Sequence, residues 1–165
     1  CCPQAEGPII VHRLDMATSG LLVAAKTSKA YFGLQQQFTD HTVTKRYVAV
    51  LDGLLPPDKR HGTISLPLRS NYIDRPRQMV DWQKGKPALT HYEEIAHKDG
   101  CSIVALYPLT GRTHQLRVHC AHPEGLNIPI LGDPLYGRKA DRMYLHAEAI
   151  EVEMLGLKVE EKFKW

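Results

Sequence analysis

The chain has 165 residues, 43% hydrophobic and 24% charged, which suits one ordinary globular domain whose core needs neither disulfides nor a structural metal. Its net charge of +3 permits a polyanionic partner without demanding one, and no apolar run approaches the ~18 residues of a membrane span. Cys1, Cys2, Cys101 and Cys120 form no C-x-x-C pair, so free thiols in a reducing, cytoplasmic compartment are expected.

In chain order, Ile9-Ile10-Val11 reads as a buried strand end, followed by a polar loop from Asp15 to Gly20 and a second strand over 21–25. Ser28 is a plausible N-cap for a helix over 29–39, with Tyr31, Leu34, Gln35 and Phe38 at helical spacing. Residues 45–51 alternate as a strand does, and Pro56-Pro57-Asp58 marks a turn. Further strands are expected near 62–66, 78–82, 88–95 and 101–107. Thr113 is a possible cap for a second helix carrying Leu116, Val118 and Cys120. Residues 132–134 read as a loop, 144–153 as a strand, and 157–163 as its pairing partner. The sum is an α+β fold on a mainly antiparallel mixed sheet with a few flanking helices, without repeats or a linker marking a second domain.

Four segments carry candidate chemistry. In residues 12–20, His-Arg-Leu-Asp-Met-Ala-Thr-Ser-Gly, a strand end presents a polar loop. Asp15 by itself fits a nucleophile, a general base, a metal ligand or a turn cap, and loop aspartates most commonly cap turns. In the segment around Lys45-Arg46-Tyr47, Tyr47 suits either a half-buried sheet face or stacking on a nucleic-acid base, the latter worth about 1–3 kcal/mol. In residues 110–119, Arg112 and Arg117 flank a helix start, a natural phosphate site; the bland alternative is two solvated arginines. Residues 130–137 form a turn sequence with aromatic content and no obvious chemistry. Basic clusters at Lys45-Arg46, at Arg69, Arg75 and Arg77, and at 137–142 read individually as solvated faces.

Together these segments resemble the RluA family of RNA pseudouridine synthases. H-R-L-D-x-x-T-S-G at 12–20 matches that family's catalytic motif, and K-R-Y-x-A at 45–49, G-R-T-H-Q-L-R-V-H at 111–119 and G-D-P-x-Y-G at 132–137 follow in the family's order. N-x-x-D-R-P-R-Q at 71–78 and G-K-P-A-L-T-H-Y at 85–92 are similar to the subgroup that modifies large-subunit ribosomal RNA and the tRNA anticodon stem-loop. Family members carry sequence before the first motif, so residues 1–165 are expected to be a single catalytic domain lacking its N-terminal segment.

The resemblance implies isomerisation of a uridine flipped out of structured RNA, without cofactor or metal, by a monomer. Asp15 would be the essential carboxylate, attacking C1′ of the ribose or assisting proton removal from the sugar. Arg117 would supply its counter-charge, and Tyr47 would pack on the uracil and serve as general base when the C5 proton leaves. Among substrate-binding residues, Arg13 would fill the gap left by the flipped nucleotide, Leu116 would wall the base, and Arg112 with the 69–77 segment would meet phosphates. Two rival readings remain. One is a non-catalytic RNA-binding module on the same fold. The other is a metal site using His114, His119, Cys120 and His122 with His91 and His97, whose spacing departs from the tight pairs of zinc sites.

Overall fold

Apolar and β-branched residues dominate the two strands around which the molecule is built. The computed structural model describes residues 9–162. Its strands are β1 (Ser19–Gly20), β2 (Val43–Val50), β3 (His61–Ser65), β4 (Leu68–Ser70), β5 (Gln78–Val80), β6 (Leu89–Lys98), β7 (Cys101–Pro108), β8 (Leu145–Val152) and β9 (Leu157–Glu160). The helices are α1 (Ser28–Thr39) and α2 (Gln115–Ala121), with short 3-10 turns at Pro57–Lys59 and Glu153–Leu155. The main sheet runs β1-β8-β2-β7-β6-β3, with β9 also on β8; β4 and β5 form a separate hairpin. β1 pairs with β8 in parallel and every other pairing between named strands is antiparallel. The fold is therefore α+β on a mainly antiparallel sheet, as the sequence pattern implied.

Side chains alternate across the sheet, so Ala49, Val104, Leu106 and Leu145 meet Leu116 and Cys120 of α2 in one buried cluster. Leu34 of α1 packs with Val43, Ile150 and Val152 in a second cluster. Tyr47 borders the first cluster and Phe38 the second, so the strip of β2 between the helices is left to face a cavity.

Five local expectations are corrected. The strand expected over 21–25 is absent: regular pairing stops at Gly20, and beyond it Ala24 makes a lone bridge to Ile10. The Leu21 N–H goes to the Ala147 carbonyl and the Val23 N–H to the His12 ring, so these donors do not build a ladder. Ile10 is 52% exposed rather than a buried strand end. At α1 the cap is Thr27, whose hydroxyl accepts the Ala30 N–H at 3.2 Å, one residue before the expected Ser28. At α2 the cap position is His114, in the left-handed region at φ 52°, instead of Thr113. The expected 78–82 strand ends at Val80, since Asp81 turns back to accept the Gln83 and Lys84 N–H groups. β9 pairs with β8 as expected; residues 163–165, like 1–8, lie outside the described residues.

Candidate active site

Asp15 sits where the chain makes a tight turn, closed by the Thr18 N–H donating to the Asp15 backbone carbonyl at 2.9 Å. The turn thus uses the main chain of Asp15 and leaves its carboxylate for other partners. Four residues after Asp15, the chain is pinned to β8. The Ser19 hydroxyl meets His146 Nδ1 at 2.9 Å, and Gly20 adopts φ +110° with its Cα so close to β8 that a Cβ would lie 2.3 Å from the Ala147 carbonyl oxygen. Only glycine fits there. The Thr-Ser-Gly part of the motif therefore anchors the loop that presents Asp15.

The Asp15 carboxylate faces Arg117 of α2, with Oδ2 3.8 Å from Nη1. Arg117 is 4% exposed, and its other donors are committed to Asp133: Nε donates at 2.8 Å and Nη2 at 2.7 Å. Asp133 is fully buried and also accepts the N–H groups of Leu135 and Tyr136. Burial opposes the ionised form of Asp133, but these donors outweigh it and hold the carboxyl below its ordinary range. For Arg117 likewise, burial works against the charge, and the hydrogen bonds it donates to Asp133, with that carboxylate's charge, overcome it. The Tyr136 ring lies under the guanidinium, 5.1 Å from its carbon, and the Tyr136 hydroxyl contacts His114 Nδ1 at 2.8 Å.

Above this charged group lies a cavity of about 390 Å3, lined by Arg13, Asp15, Phe38, Lys45, Tyr47 and Leu116 among others. It spans from the C-terminal end of α1 across β2 to the start of α2. Burial, and then the charge of Asp15, push the Tyr47 phenol up to about 12, so it enters any reaction near neutral pH as a protonated donor. Gln115 rigidifies the far wall. Its side-chain oxygen accepts from the Thr110 hydroxyl and the Arg112 N–H, and its nitrogen donates to the Leu89 carbonyl and to Thr90.

A family model described as RNA pseudouridylate synthase matches residues 3–122. An uncharacterised RNA pseudouridine synthase from Zymomonas mobilis is 46% identical over 162 residues, covering 94% of this chain and 71% of that protein. The dual-specificity RNA pseudouridine synthase RluA of Escherichia coli K12 is 44% identical over 156 residues, covering 91% of this chain and 68% of its own length. The chain belongs to the RluA family of RNA pseudouridine synthases. Among solved structures, human RNA pseudouridylate synthase domain containing 1 superposes with a TM-score of 0.82 at 32% identity, covering 95% of this chain and 69% of that one. Human RNA pseudouridylate synthase domain containing 4 shares the fold, with a TM-score of 0.79 at 24% identity over 97% of this chain and 73% of that one.

In this synthase, Asp15, Tyr47, Arg13, Arg112 and Leu116 all line the one cavity, and Arg117 lies directly behind Asp15. The two arginines that residue type alone left equivalent have separate positions. Arg117 points inward, whereas Arg112 stays half-buried at the cavity wall and donates from Nε to the Pro87 carbonyl. The Arg69–Arg77 cluster lies apart from the cavity lining, on the β4–β5 hairpin. There Arg69 pairs with Asp81 and Arg77 with Asp74, and Arg75 lies over the Tyr72 ring.

The rival metal set is scattered. His119 is fully buried, with Nδ1 on the Thr90 hydroxyl and Nε2 on the Leu66 carbonyl, as a core histidine is. Among the described residues, no group of three or more His, Cys, Asp or Glu side chains is placed to hold a metal ion. Asp133, Tyr136 and His114 were not read from the sequence as parts of this site. An aspartate in a Gly-Asp-Pro turn signals only a turn. Its guanidinium partner, 16 residues away, becomes visible once the chain is folded.

Proposed function

We propose that this synthase domain isomerises uridine to pseudouridine in a stem-loop of ribosomal or transfer RNA, with Asp15 as the essential carboxylate. The observation that carries this reading is the Asp15 carboxylate itself. Among the described residues its polar partner is Arg117, at 3.8 Å, and it opens on a cavity it shares with Tyr47. A cavity of about 390 Å3 falls near the lower end of the ~300–1,000 Å3 usual for small-ligand sites. That suits one nucleotide turned out of its stack, at a cost of a few kcal/mol that is smallest in a loop.

In the reaction the N1–C1′ bond breaks, the uracil turns, C5 bonds to C1′, the C5 proton leaves and N1 gains a proton, so atoms balance without a co-reactant. Asp15 acts on the sugar, either as a nucleophile at C1′ or in proton removal, and both routes require a carboxylate stabilised by a nearby cation. Arg117 is positioned for that, its Nε and Nη2 occupied by Asp133 and its Nη1 turned to Asp15. Tyr47 packs on the detached base, with Leu116 as a neighbouring apolar wall. With its proton held to about pH 12, Tyr47 must first give up that proton, for example to a group on the substrate or to Asp15, before it can take the one on C5. Arg13 fills the vacated place in the RNA stack, and Arg112 meets the backbone. The likeness at 71–92 supports the ribosomal and transfer RNA assignment. We take the enzyme to work as a monomer in the cytoplasm, where Cys101 and Cys120 remain free thiols.

The test is tritium release from RNA labelled at uracil C5. Wild-type protein should release tritium, and Asp15→Asn should lower the rate by at least about 10³-fold. Release at the wild-type rate by Asp15→Asn would remove the role given to Asp15. No release by wild type, with RNA still bound, would favour the non-catalytic binding module.

A further inference from the structure

The cavity is lined in part by donors that, among the described residues, have no side-chain or carbonyl acceptor. Lys45 stands two residues before Tyr47 on β2, and both line the cavity. It is partly buried, and burial holds its ammonium below the ordinary lysine range. Among the described residues, the Lys45 ammonium makes neither an ion pair nor a hydrogen bond. The neighbouring cations differ: Arg46 is tied to Glu148 and to the Tyr107 hydroxyl, Arg117 to Asp133, and Arg13 is exposed.

His12 lies close enough to Lys45 to feel its charge. Burial first, and then Lys45, hold the imidazole below its ordinary range, so the ring is neutral at physiological pH. Its tautomer follows from one contact. The Val23 N–H donates to Nε2 at 2.9 Å, so Nε2 carries no hydrogen and the ring proton sits on Nδ1. The ring is fixed by stacking on Phe38, with centroids 4.8 Å apart. Among the described residues, Nδ1 has no acceptor. His12 and Lys45 thus line the same cavity, near enough for the lysine charge to act on the imidazole. A partly desolvated cation without a counter-charge is costly unless a ligand supplies one.

We propose that Lys45 and His12 form a phosphate subsite that holds the RNA backbone phosphodiester next to the flipped uridine. The nucleotide is then gripped at two ends, its base between Asp15 and Tyr47 and its phosphate between Lys45 and His12. A phosphodiester is the one anionic group RNA offers, and it accepts from both donors at once. The identity of the anion rests on the RNA-isomerase reading; the existence of the subsite rests on the two donors.

Two measurements test it. The first is the affinity of a synthetic hairpin RNA, with a loop uridine that wild type converts, carrying either all phosphodiesters or one neutral methylphosphonate 5′ or 3′ of that uridine. Wild type should lose roughly tenfold in affinity for one of the two neutral-linkage RNAs. Lys45→Gln should bind the all-phosphodiester RNA as weakly and lose nothing further with the neutral linkage, while Lys45→Arg should keep most of the discrimination. If Lys45→Gln keeps wild-type affinity, or loses its tenfold on top of the methylphosphonate effect at both linkages, the subsite is wrong. The second measurement needs no active RNA. The free protein is titrated with inorganic phosphate while the His12 C2 proton is followed by NMR. A saturable shift in wild type that vanishes in Lys45→Gln is expected, and identical behaviour of the two overturns the site. A phosphate shift in a protein that converts no RNA would instead overturn the isomerase reading and leave the anion site standing.

Discussion

Asp133 and Arg117 form a fully buried pair whose geometry sets what is left for Asp15. A guanidinium has five N–H donors in a rigid fork. Asp133 takes the edge made by Nε and Nη2, and Nη1 is left toward Asp15 at 3.8 Å. Removing the charge of one member of a buried pair leaves the other uncompensated, which commonly costs about 3–5 kcal/mol. Asp133→Asn should therefore lower unfolding stability by roughly 3 kcal/mol or more in urea melts, and a loss below about 1 kcal/mol would show that solvent already screens the pair. Tyr47 allows a cleaner separation, since its hydroxyl can be removed with the ring kept. Tyr47→Phe should leave RNA affinity within a few-fold of wild type and slow single-turnover isomerisation by roughly 10²-fold or more. Weaker binding with an unchanged rate for bound RNA would reduce Tyr47 to a stacking surface.

At the level of elements, α1 was legible because apolar residues recur at helical spacing behind a hydroxyl cap, and only the choice between Thr27 and Ser28 was missed. The 21–25 segment was not legible. Leu21-Leu22-Val23 has strand composition, yet Leu22 is 47% exposed and the Val23 N–H is taken by a side chain. Composition reports burial tendency, and it cannot report which acceptor a backbone donor will meet. The short β1 matters more than its two residues suggest, because it fixes the Asp15 loop to β8. Gly20→Ala should thus be among the most damaging substitutions near the site. Its Cβ would meet the Ala147 backbone in a conformation L residues avoid, which should cost roughly 2 kcal/mol or more in a urea melt and lower activity by displacing Asp15. Unchanged stability and rate would mean the loop is free to shift.

Across the whole molecule, the cavity draws on residues 11–18, 38–47, 108–116 and 145, segments far apart in the chain. A buried relay stiffens the α2 side of it: Gln115 donates to Thr90, the Thr90 hydroxyl to His119 Nδ1, and His119 Nε2 to the Leu66 carbonyl. Burial lowers His119 to about 4, against an ordinary 6.5. As pH falls from 6.5, the unfolded chain takes up this proton before the folded one does. The folded state is therefore fully favoured above about pH 6.5 and loses stability through the window down to about 4, by up to about 3 kcal/mol for this group. Asp133, held below its ordinary range, adds a further loss at still lower pH. Urea midpoints should fall between pH 7 and pH 4.5, and His119→Gln should flatten that fall. A wild-type midpoint that stays level over this range would mean that His119 does not titrate as a buried neutral ring.

The order and spacing of the motifs, together with the alternation of apolar residues, sufficed to determine the family and the α+β class, and they nominated the short set Asp15, Tyr47 and Arg117. Those features are local, and periodicity and motif chemistry are written along the chain. Tertiary structure alone decided that Arg117 turns inward while Arg112 stays at the cavity wall, that the Gly-Asp-Pro turn holds Arg117, and that Lys45 comes close enough to His12 for its charge to act on the ring. Each of these depends on which buried charge finds a partner. That is settled by the pairing of β2 with β8, the approach of α2 and the exclusion of water, and by no property of the residue taken singly.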